Sequence, residues 1–119
     1  MREPRKDPKR LTDILEAIDT IFQYVGEDDM NAFVADKMRY HAVVYNIMII
    51  GEAANLLTIE FRKNHSEVPW RDIVDMRNVL VHGYITTNAV LIWETYTNDL
   101  PILKSQITQY IEELNNVEP

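Results

Sequence analysis

The chain of 119 residues contains no cysteine, which excludes disulfide staples and thiolate metal centres and is compatible with a reducing compartment. It has only three glycines, Gly26, Gly51 and Gly83, and neither a P-loop nor a Gly-rich dinucleotide fingerprint. No apolar run approaches the length of a membrane span, and the N-terminus has no signal-peptide core, so a cytoplasmic protein without a membrane partner is expected. A basic excess is also missing, since the net charge is −7. A broad electrostatic footprint on nucleic acid is therefore not expected, and any RNA contact is expected through a local basic cleft. The first ten residues run the other way, with Arg2, Arg5, Lys6, Lys9 and Arg10 against Glu3 and Asp7.

What is present is helical patterning. The hydrophobic fraction of 46% is ordinary for a globular protein, and the length suits one domain. Scarce glycine and few β-branched alternations point to an all-α fold, an up-and-down bundle of about five helices. Residues 1–9 hold two prolines and mixed charge without periodicity, and are expected to be a flexible basic arm. The domain proper is expected over residues 10–116. Leu11, Ile14, Leu15, Ile18, Ile21, Phe22 and Val25 form one continuous stripe, stopped by Gly26. A short helix over Asn31–Ala35 follows, anchored by Phe33 and Val34, and Asp36 caps a third helix over Lys37–Thr58.

That third helix is apolar around much of its girth and is expected at the centre of the bundle, with Gly51, Ala53 and Ala54 allowing a neighbour to approach closely. Glu52 in that stretch either faces solvent or, if buried, needs a partner, for which Arg77 is the candidate. Residues 59–68 read as a polar connection, and His65 as a plain surface residue. A fresh cap at Thr86-Thr87-Asn88 opens a fifth helix, kinked or restarted at Pro101, with fraying over residues 115–119.

The stretch Met76-Arg77-Asn78-Val79-Leu80-Val81-His82-Gly83-Tyr84 stands out, because it ends an otherwise apolar helix with four polar or chemically active side chains. Pro69 suits the opening of that helix and Gly83 its close. At about 100° per residue, Asn78 and His82 share a face, while Arg77 and His82 lie about 140° apart and flank a groove. His82 sits in the last turn, where the helix end favours a cationic side chain. Arg77 cannot lose its proton and serves only to bind or stabilise anions. Together they make a minimal kit for phosphodiester chemistry without a metal. The plain alternative is a helix end decorated with an Arg and a capping His. The histidines and carboxylates show no recognised metal spacing, so neither a metal nor a cofactor is expected.

Arg77-Asn78-x3-His82-x-Tyr84 resembles the Arg-x4-His-x-Tyr signature of HepT-like toxins in the HEPN superfamily. Asp13-Ile14-Leu15-Glu16-Ala17-Ile18 resembles the family's first helix, and Ile50-Gly51-Glu52-Ala53-Ala54 its third. Trp93 with Leu100-Pro101-Ile102-Leu103 resembles its last. The resemblance implies a homodimer whose paired helix ends form a composite cleft. It implies metal-independent RNA cleavage with Arg77 and His82 catalytic and Asn78 and Glu52 in support. It further implies the toxin half of a type VII toxin–antitoxin system. The partner is a minimal nucleotidyltransferase antitoxin (MntA) that silences the toxin by adenylylating the motif tyrosine, here Tyr84. The alternative reading is a non-catalytic helical module that binds a nucleotide or a protein partner at the same cleft.

Overall fold

The structure, a computed structural model, describes residues 6–82 and 89–117. Every regular element among them is helical: α1 (Asp7–Val25), α2 (Met30–Ala35), α3 (Lys37–Leu56), α4 (Ile59–Asn64), α5 (Trp70–Val81), α6 (Ala89–Glu94), a π-helical turn (Thr95–Asp99) and α7 (Leu100–Val117). None of these helices is long and apolar enough to cross a membrane. Together they form the expected all-α bundle. Its extents are 48 × 28 × 21 Å.

α3 is the central helix, with α1 packed on one side of it and α5 on the other, while α7 covers α1. Of the predicted α1 stripe, Leu11, Ile14, Ile18, Ile21 and Val25 are buried in one core with Val43, Val44, Ile47, Ile50 and Leu57, while Leu15 and Phe22 are half-buried against it. Gly26 ends α1 at φ 60°, a conformation that glycine takes without steric cost, and its N–H donates to the Phe22 carbonyl at 3.0 Å. Asp29 and Asp36 cap α2 and α3, accepting from Ala32 N (2.8 Å) and Arg39 N (3.2 Å).

Four features differ from expectation. Residues 7–9, read as part of a loose arm, are the first turn of α1. Pro8 favours a helix start there, and the buried Asp7 carboxylate accepts from Thr58 N (3.0 Å) and Thr58 Oγ1 (2.7 Å). The polar connection over 59–68 contains α4, because the same Thr58 hydroxyl accepts from Phe61 N (3.1 Å) and Phe61 is buried. His65 is not a plain surface residue. Its ring stacks on Phe61 at 3.9 Å, its Nδ1 bonds the Phe61 carbonyl at 2.9 Å, and Tyr110 meets it edge-on.

The last helix departs from α-geometry before Pro101 and not at it. Pro101 supplies no N–H, and its ring crowds the carbonyl four residues back. The wider π turn just ahead accommodates this, with Leu100 N–H reaching back to Thr95 O. α7 then runs on to Val117, beyond the expected point of fraying. Trp70 is buried in the core, whereas Trp93 is half-buried against Phe33 and Tyr96. Residues 1–5, the Gly83 stop, Tyr84 and the Thr86-Thr87-Asn88 cap lie outside the described residues.

Candidate active site at the end of α5

α5 meets α3 at Gly51. A Cβ placed on Gly51 would lie 2.3 Å from Arg77 Cβ, 3.0 Å from Arg77 Cγ and 3.1 Å from the Ile73 carbonyl. Only a residue without a side chain lets the two helices come this near, so Gly51 seats the stem of Arg77 in the α3–α5 seam. The next residue on α3, Glu52, then meets the guanidinium: Glu52 Oε2 is 3.0 Å from Arg77 Nη2. Arg77 Nη1 donates to Asn78 Oδ1 at 2.9 Å. The two readings of Glu52 therefore meet in one arrangement, since its side chain is 47% exposed and still paired.

The guanidinium is thus held from both sides, by a carboxylate of α3 and by the carboxamide of its own neighbour. With a third of its side chain exposed, it stays within reach of an external anion. An Arg held as a fixed fork gives up less conformational freedom on binding phosphate than a free one.

His82 terminates α5, where its N–H donates to the Asn78 carbonyl at 3.2 Å, and its ring is exposed. The structure therefore brings Glu52, Arg77 and Asn78 into one side-chain cluster. His82 joins them through the backbone, from the open end of the helix, and Tyr84 lies outside the described residues. Val79 and Val81, on the same last turn, are 38% and 46% exposed, and Val90 and Leu91 of α6 are exposed as well. Among the described residues, no three of His, Cys, Asp and Glu cluster closely enough to hold a metal ion.

Chemically, the cluster offers a fixed cation near the end of the helix that His82 terminates. The family described as ribonuclease HepT-like matches residues 14–110, which takes in both the Gly51–Arg77 seam and His82. The chain belongs to this HepT-like ribonuclease family. Among curated relatives, the HepT-like chain is 38% identical over 112 residues to the "gamma-glutamylcyclotransferase and putative RNase" of Methanocaldococcus jannaschii. That match covers 93% of this chain and 50% of the relative, so the chain spans half the length of that protein. It is 36% identical over 106 residues to the "probable ribonuclease HepT" of Thermococcus cleftensis, covering 89% and 94% of the two chains. It is 35% identical over 113 residues to a "putative RNase" of Caldanaerobacter subterraneus subsp. tengcongensis, covering 95% and 98%. No solved structure matches this HepT-like chain.

One cationic feature of the HepT-like fold escaped sequence reasoning. Arg62 and Lys63 at the end of α4 and Arg71 at the start of α5 line an open recess of about 460 Å³ with Ile59, Ser66, Trp70, Val74 and Asp75. In the sequence Lys63 and Arg71 are separated by residues 64–70, and the packing of α4 by α5 places them at one recess.

Proposed function

We propose that the chain is the toxin of a type VII toxin–antitoxin system, acting in the cytoplasm as a metal-independent endoribonuclease. The observation that carries this reading is the guanidinium of Arg77, held by Glu52 and Asn78 on the helix that ends at an exposed His82. The RNA supplies its own nucleophile. His82 accepts the 2′-OH proton as O2′ attacks phosphorus, and an imidazolium delivers a proton to the departing 5′-oxygen. The products are a 2′,3′-cyclic phosphate and a free 5′-OH. Arg77 faces the non-bridging oxygens, where charge grows in the phosphorane.

Two copies pairing through the ends of α5 bring two histidines to one cleft, so that one acts as base and the other as acid. The exposed Val79, Val81, Val90 and Leu91 support such a pairing, since apolar side chains gathered at one end of a bundle suit burial against a partner. A nucleotidyltransferase antitoxin joins AMP from ATP to the Tyr84 phenol, releasing pyrophosphate. Two residues beyond His82, the added anionic nucleotide occupies the Arg77 phosphate site and blocks RNA.

The test is induction of wild type, His82→Ala and Arg77→Ala, with and without a cognate nucleotidyltransferase, beside cleavage of RNA by the purified proteins in EDTA. Growth arrest and cleavage by wild type alone, with arrest relieved by the transferase, are expected. Cleavage that survives both substitutions would remove the mechanism. Folded wild type that neither arrests growth nor cuts RNA would favour the non-catalytic module.

A further inference from the structure

We propose that the recess lined by Arg62, Lys63 and Arg71 is a second phosphate subsite that grips the RNA strand at a distance from the scissile bond. The inference rests on the ribonuclease reading above and extends it to how the substrate lies. Three cations from two helices line it, on a protein whose net charge is −7.

Helix electrostatics account for two of the three cations and not the third. Arg62 and Lys63 occupy the last turn of α4, where positive charge complements the helix dipole. Arg71 is the second residue of α5, at the end where the dipole disfavours a cation, and no side chain caps that N-terminus. Lys9, Arg39, Arg77 and Lys104 each face a carboxylate within ion-pair distance. Lys63 and Arg71 are both exposed, and neither makes an ion pair among the described residues. Arg71 thus adds positive charge at the helix end where the dipole disfavours it, with Asp75, four residues on, lining the same recess. A bound anion gives it a purpose.

The recess is also aligned with the active site. At about 100° per residue, Arg71, Asn78 and His82 fall within about 20° of one line along α5. Arg71 and His82 are separated along the axis by about 16 Å at 1.5 Å per residue. A strand whose scissile phosphate sits at His82 therefore has a path along this face to the recess, with Asp75 on the same face. The recess is rigid: Trp70 is buried beneath it and its Nε1 donates to the His65 carbonyl at 2.9 Å, locking the start of α5 to the end of α4. Asp75 is the carboxylate that lines the recess, and it opposes phosphate. Asp72, in the first turn of α5, lines a separate groove facing α3 and α7.

The experiment compares initial rates on two substrates, a long single-stranded RNA of mixed sequence and a mixture of dinucleoside monophosphates too short to leave the His82 end. The proteins are wild type, the double variant Lys63→Gln/Arg71→Gln, and Asp75→Asn. For the long RNA, the double variant is expected to raise KM on the order of tenfold with kcat unchanged. The slope of log affinity against log salt should shrink by about 0.7 for each lost contact. Asp75→Asn is expected to lower KM for the long RNA, an opposite shift that generic damage to the fold does not produce. Dinucleotide cleavage should be the same in all three proteins. Equal KM values on long RNA across the three would overturn the subsite while leaving the ribonuclease reading intact. A double variant impaired equally on both substrates would also overturn it, since the cations would then act through the fold or the cleft. Wild type inactive on both substrates would remove the ribonuclease reading and this inference with it.

Discussion

Replacing Gly51 with Ala is the sharpest single perturbation available. The new methyl would sit 2.3 Å from Arg77 Cβ and 3.1 Å from a backbone carbonyl of α5, against an ordinary carbon–carbon contact of about 3.5–4.0 Å. The shortfall exceeds about 1 Å, and neither obstacle is a flexible chain end that can swing aside. Either α5 must move off α3 or the seam must strain. Overpacking of this kind costs about 1–3 kcal/mol. Against it stands the gain of about 0.5–1 kcal/mol for Ala over Gly inside a helix. The net expectation is a loss of about 1–2 kcal/mol, read as a lower urea midpoint with unchanged slope.

The functional effect should be larger than the loss of stability. Shifting α5 lengthens the 3.0 Å Glu52–Arg77 contact, and a misplacement of about 1 Å near the chemistry can cost about a hundredfold in rate. Cleavage assayed far below the denaturation midpoint separates this loss from unfolding. A Gly51→Ala protein as stable and as active as wild type would refute the claim that close approach at Gly51 positions Arg77.

Other perturbations probe different parts of the molecule. Glu52→Gln should change stability by less than about 1 kcal/mol, because the pair is partly solvated. It should nevertheless lower kcat while tightening RNA binding, since Arg77 keeps its charge but loses its anchor; steady-state kinetics give both numbers. Asp7→Ala strands the Thr58 N–H and hydroxyl and should cost about 1–3 kcal/mol in urea unfolding, with Asp7→Asn milder because a carboxamide oxygen still accepts. Burial, and then the hydrogen bond to Glu67, push the Tyr110 phenol up to about 12 from its ordinary 10.0. Its stabilising contribution is whole below pH 10 and is lost as pH rises toward 12. Tyr110→Phe, which keeps the ring contacts with Phe61 and His65, should therefore show a shallower fall in stability across that window.

The long helices were legible because burial along them is periodic. The stripe of α1 and the girth of α3 follow directly from where Leu, Ile and Val fall. The Glu52–Arg77 pair was legible for a different reason: the small residues beside Glu52 announce a close neighbour, and Arg77 lies on the helix best placed to be it. What escaped depended on contacts distant in the chain. α4 has six residues and one buried anchor, Phe61, too few for a period to register, and its cap is fixed by Asp7, 51 residues away. The start of α1 at Asp7 has the same cause. The aromatic setting of His65 needs Tyr110 from α7, and the basic recess needs α4 and α5 to fold against each other.

The π turn over Thr95–Asp99 carries a consequence for what this protein can tolerate. Such a turn holds more residues than the α-turn it replaces. Adding one more residue there would rotate all of α7 relative to α6 by about 100°. Leu103, Ile107 and Tyr110, all buried, would swing away from the core together, and no rearrangement of side chains would restore them. Thr97, Asn98 and Asp99 are exposed, so substitutions there should change stability by no more than about 0.5 kcal/mol. The segment is permissive toward substitution and intolerant of added length.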